Sequence, residues 1–155
     1  MLGRQRATGL NFLEEARPVV ADLRFPVLAV SESSIIVYRD PEHLCTCGEE
    51  ALTNGYLSRL QLVDSELLNY AVLKAIKIGY VGIFRGWHPF YASRRVRVAL
   101  TLGPARQLTL ASVQQSVIDA MNKNPDFWES AGDLAEQAAE IRATESFADL
   151  LQRFA

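Results

Sequence analysis

Few residues in this chain can do covalent or metal chemistry. There are two cysteines and two histidines in 155 residues. The cysteines, Cys45 and Cys47, stand one residue apart, so a bridge between them would close no useful loop, and a disulfide framework is excluded. A reducing, cytoplasmic compartment is the expectation that follows. No apolar run approaches the ~20 residues a membrane-spanning helix needs. The first nine residues carry Arg4 and Arg6 but lead into no apolar core of a secretory signal, so none is expected. Phosphate-loop, dinucleotide-binding, nucleophile-elbow and zinc-protease motifs are all absent.

What remains is ordinary globular material. Hydrophobic residues make up 49% and charged residues 22%, which excludes a disordered chain. A single domain of this length buries roughly 70% of its unfolded surface and needs no staple. Net charge is −2, unevenly distributed. Lys74, Lys77, Arg85, Arg94, Arg95 and Arg97 crowd one stretch without an acid, while the segments before Lys74 and after Thr109 are acidic. Such blocks suit complementary faces of one fold and also suit a charged partner.

The pattern predicts an α+β fold in one domain. Residues 1–24 form a peripheral segment, residues 25–102 a mainly antiparallel sheet, and residues 109–154 a helical region packed on it. Phe25–Val30 and Ser34–Arg39 read as strands around a serine-rich turn. Asp40-Pro41 starts a short helix over about 41–54, with Asn54-Gly55 as its stop. Further strands are expected at Ser58–Val63, Leu67–Lys74 and Ile76–Tyr80. Arg95–Leu102 alternates strictly, Val96, Val98, Leu100 and Leu102 on one face and Arg95 and Arg97 on the other. Helices follow from Thr109, from Asp133 and from about Glu145, the last with Phe147, Leu150, Leu151 and Phe154 on one stripe.

Three constellations carry candidate chemistry. His43-x-Cys45-x-Cys47 has metal-ligating residue types, but a zinc site wants four ligands and the only other histidine is His88, so no metal and no cofactor is expected. Cys47 or Cys45 with His88 is a conceivable nucleophile–base pair by residue type. Between residues 80 and 97, aromatics interleave with bases. Arg85, Trp87, His88, Phe90 and Tyr91 form the densest part, and on an exposed face they would stack single-stranded nucleic acid. The acidic total charge argues against a phosphate-tracking surface. The third is an acid stripe, Asp133, Glu136 and Glu140, at one face of a helix, suited to a basic protein partner.

Parts of the chain, Lys77 to Gly86, Arg95 to Leu100, the helix from Thr109 to Asn122 and the stretch Asp126-Phe127-Trp128-Glu129, resemble small bacterial immunity proteins of polymorphic toxin systems. The resemblance implies a non-catalytic protein that neutralises a toxin by occluding it, with no site residue carried over. A protein-binding domain is thus the leading expectation, and a single-stranded nucleic-acid module its alternative.

Overall fold

Seven strands and six short helices make up the computed structural model over its described residues, 19–32, 34–82 and 94–155. Strand β1 (Val27–Val30) and strand β2 (Ile35–Tyr38) form the expected hairpin, in register from Val27↔Tyr38 to Val30↔Ile35. The Ser34 N–H closes the turn by donating to Ser31 Oγ at 3.1 Å. All four β1 residues are buried because both faces of this strand are covered. Val27 and Ala29 point into one core, Leu28 and Val30 into another.

The segment expected as one helix over 41–54 divides into three elements. Helix α1 (Pro41–Leu44) begins as predicted, with Asp40 accepting from the His43 N–H at 2.7 Å. It ends at Cys45, and Thr46–Gly48 forms strand β3, followed by helix α2 (Glu49–Thr53). Sheet pairing overrides the local helical spacing here: β3 is in antiparallel register with Arg95–Arg97 of the neighbouring strand. β-branched Thr46 and Gly48 are weak helix formers, so little helical propensity opposes the switch. The expected strand Ser58–Val63 is likewise shorter. A single 3-10 turn at Leu57–Arg59 precedes strand β4 (Gln61–Val63).

Two expected strands, Leu67–Lys74 and Ile76–Tyr80, are one continuous strand, β5 (Leu68–Tyr80), paired with β6 (Arg95–Leu102). Its register slips twice. Val72 and Lys74 face the consecutive residues Leu102 and Thr101, and Lys77 and Gly79 face Val98 and Arg97. Leu73 and Ile78 are therefore the extra residues of two β-bulges. They erase the period-two pattern that marks β6, whose alternation is as expected: Val96, Val98, Leu100 and Leu102 are all buried. A two-residue strand β7 (Arg106–Gln107) adds to the start of β5.

The sheet order is β2-β1-β4-β5-β6-β3, with β7 beside β5. The sheet curls, so that α1 touches both edge strands, β2 and β3. Tyr38 of β2 meets His43 of α1 edge-on at 4.9 Å. Inside the curl lies a first core of residues such as Leu44, Leu57, Leu62, Val96 and Leu102.

The helical region packs on the outer side of β1, β2 and β4 and forms a second core. Helix α3 (Leu110–Lys123) is capped reciprocally by Thr109 and Ser112, at 3.1 and 3.2 Å. Asn124-Pro125 ends it as predicted, but Pro125 also opens a further helix, α4 (Pro125–Glu129). Helices α5 (Leu134–Arg142) and α6 (Phe147–Gln152) follow, with Ile141, Phe147, Leu150 and Leu151 buried against Leu28, Val37 and Val117. Buried Gln114 ties α3 to the α5–α6 connection, donating to the carbonyls of Ile141 (3.0 Å) and Thr144 (2.9 Å). The α+β plan, with the sheet region first and the helical region last, is the one the sequence predicts.

Candidate interaction surfaces

The aromatic and basic residues Arg85, Trp87, His88, Phe90 and Tyr91 lie outside the described residues. Their flanks are described. The Val81 N–H donates to the Arg95 carbonyl at 3.0 Å, which pairs the two chain ends leading to that segment. Beside this pair, Lys77 Nζ lies 2.9 Å from Glu49 Oε1, and the Tyr80 hydroxyl donates to the same carboxylate oxygen at 3.2 Å. The hydrogen bond from Lys77, then its charge and the Tyr80 hydroxyl, hold the Glu49 carboxyl below the usual carboxylate range. The same contact with Glu49 raises Lys77. Lys77 Nζ and the Arg94 guanidinium stand 4.7 and 5.7 Å from the Tyr80 ring centre. That ring already carries two cations.

Cys47 stands in β3 and Cys45 caps α1, both half-buried and unbridged. Burial pushes both thiols up, so they are protonated at neutral pH and poor nucleophiles. His43 is exposed on α1. Among the described residues no three His, Cys, Asp or Glu side chains are grouped as a metal would need. Buried Asp64 serves the fold: it accepts from the Glu66, Leu68 and Arg24 N–H groups at 2.9, 3.0 and 3.3 Å. The turn it fixes contains Leu67 at φ 62°, a conformation a bulky residue adopts only when held.

The acid stripe is exposed, as its helical spacing predicts, yet its three members do different things. Asp133 is the N-cap of α5 and accepts from the Glu136 N–H at 3.0 Å. Glu140 pairs with Arg153 and so ties α5 to the C-terminal end of α6. Only Glu136 projects without a described side-chain partner.

Next to this stripe the helical region exposes an aromatic ring. Phe127 on α4 is 61% exposed, whereas its neighbour Trp128 packs inward against the second core. Trp128 meets Phe127 edge-on at 5.1 Å and Phe154 at 6.0 Å. Gln137 donates to the Trp128 carbonyl at 3.0 Å and braces α4 against α5. Phe127 is thus held outward by a fixed neighbour, with Asp126, Glu129, Asp133 and Glu136 exposed around it in sequence. Neither Asp126 nor Glu129 has an ion pair or side-chain hydrogen bond among the described residues.

A second apolar surface lies on the outer side of β5 and β6, away from the helical region α3–α6. Leu73, Ile76 and Ile78 are 57%, 46% and 66% exposed. Lys74, Ala99 and Arg97 flank them on the same strands. Ile78 also borders a recess of about 450 Å³ whose lining includes Val20, Pro41, Glu42, Cys45, Arg97 and Val98. The sequence contains the signal for this surface, three large aliphatic residues interleaved with Lys74 and Lys77, but the spacing reads as strand core until the bulges turn Leu73 and Ile78 outward.

No protein-family model, no curated protein and no solved structure matches this chain. No helix among the described residues is long and apolar enough to cross a membrane.

Proposed function

We propose that this is a non-catalytic protein-binding domain whose acidic helical end engages a basic protein partner, in the manner of an immunity protein that occludes a toxin. The observation that carries the reading is Phe127, a large aromatic ring 61% exposed beside Asp126 and Glu129, which have no ion pair among the described residues. A few anchor residues, often aromatic, dominate the energy of protein interfaces, and surrounding charge sets encounter rate and partner choice. The sequence resemblance to immunity proteins supports the particular role. The unactivated thiols of Cys45 and Cys47 fit a domain that works by covering its partner.

The test starts with affinity capture from the native host using the full chain, with the captured protein identified by mass spectrometry. Against that partner, Phe127→Ser is expected to weaken binding about tenfold or more, mainly through faster dissociation. Reversing Glu129 and Glu136 to lysine is expected to slow association and flatten its salt dependence. A partner whose affinity ignores both changes would remove this surface from consideration. Co-purifying nucleic acid, with oligonucleotide binding that collapses in salt, would instead favour the nucleic-acid alternative.

A further inference from the structure

Among the described residues, two exposed apolar surfaces carry opposite charge. The helical end offers Phe127 between Asp126 and Glu129, and the outer side of β5 and β6 offers Leu73, Ile76 and Ile78 beside Lys74 and Arg97. We propose that these two surfaces are complementary between copies: the Phe127 corner of one molecule docks on the β5–β6 face of the next. This goes beyond the basic-partner reading and holds or fails without it.

Charge selects the occupant. A two-fold pairing of two β5–β6 faces would set two surfaces that each carry Lys74 and Arg97 against one another, a like-charge arrangement. Acidic surfaces resolve that conflict, and among the described residues the exposed aromatic surface with acids around it is the Phe127 corner. Asp126, Glu129 and Lys74 have no ion pair among the described residues. The charge of Arg97 is engaged only by exposed Glu42, at 3.9 Å, a weak surface contact. These groups therefore remain open to intermolecular pairing.

Shape agrees with charge. A cavity of about 150 Å³ holds a benzene ring. The open recess beside Ile78, about 450 Å³, has room for the Phe127 ring and for displaced water. Its lining is mainly apolar, with Val20, Ala21, Pro41, Ile78 and Val98 beside Arg97 and Glu42, so a carboxylate that arrives with the ring competes with Glu42 for Arg97.

Because the two surfaces differ, the contact is heterologous and leaves one of each free at the ends. Assembly should then grow with concentration and weaken with salt. A basic partner that takes the Phe127 corner would dissolve it.

Sedimentation velocity of the purified full chain tests this without any partner. At low salt the expected result is a weight-average mass that rises with concentration and falls on adding salt. Phe127→Ser and Ile78→Ser should each lower the association constant about tenfold or more. Mixed in equal amounts, the two variants should form a 1:1 complex, because each retains the surface the other has lost. Lys74→Glu with Arg97→Glu provides a version that leaves every apolar side chain in place, and it should lower the association constant as well. A single monomeric species at every concentration would overturn the proposal. So would a discrete dimer that survives Phe127→Ser, or variants that fail to complement. Partner binding by Ile78→Ser, whose acidic corner is intact, reports separately on the basic-partner reading.

Discussion

The outer side of the curled sheet is treated in two ways. Over β1, β2 and β4 it is roofed by α3, α5 and α6, and Leu28, Val37 and Leu150 are buried there. Over the far half of β5 and β6 it has no roof among the described residues, and Leu73, Ile76 and Ile78 face solvent. Both halves present aliphatic side chains of similar size on similar backbone. The difference is what lies above them, so the same residue type contributes stability in one half and an adhesive surface in the other.

Matched truncations give the largest contrast. Leu28→Ala or Leu150→Ala, both at fully buried positions, is expected to lower unfolding free energy by about 3 kcal/mol in urea titrations. Ile78→Ser on the open half should change it by no more than about 0.5 kcal/mol. Equal losses at Leu28 and Ile78 would mean the open half is covered in solution.

Asp64→Ala comes next. It leaves three backbone N–H groups without their acceptor near the start of β5 and should cost about 2 kcal/mol, measured in the same titration. Thr109→Ala removes the cap of α3, the first helix of the roof. A loss of about 1 kcal/mol is expected, with Thr109→Ser restoring most of it.

The smallest effect concerns pH at the open half. Glu49 titrates below its unfolded value because Lys77 and Tyr80 bond its charged form. The stability it contributes is therefore present above the ordinary carboxylate range and lost as pH falls through the depressed value. Lys77, raised by the same contact, contributes below its ordinary range and loses that contribution as pH rises through the raised value. Glu49→Gln should flatten the acid limb of thermal stability slightly, with no change near neutral pH beyond a small uniform loss. An unaltered acid limb would show that the contact has no influence on stability.

Much of this architecture is legible in the residues. β6 declares itself by strict alternation, and α3 by its Thr109 cap and buried stripe through Val113, Val117 and Met121. Less legible is the 41–54 segment, where Thr46–Gly48 leaves its local helical spacing to complete a sheet edge supplied by residues some fifty positions later. That contest is between local and long-range hydrogen bonds, and spacing reports only the first. The bulges at Leu73 and Ile78 escape for a related reason: an extra residue is defined only against the partner strand. The acid stripe was readable as a surface, but not the division of labour within it. A cap at Asp133, an inter-helix tie at Glu140 and a projecting Glu136 look alike until the neighbouring helices are placed.

Strand β1 alternates between two cores, Val27 and Ala29 facing the curl, Leu28 and Val30 facing the helices. A slip of one residue would exchange all four at once, so the two cores share a single register and lock each other's. Neither the curl nor the roof can loosen independently while β1 stays paired on both edges, to β2 and to β4. Amide hydrogen exchange should therefore find Leu28 and Ala29 among the slowest positions, opening only with global unfolding, and the whole domain should melt as one cooperative unit.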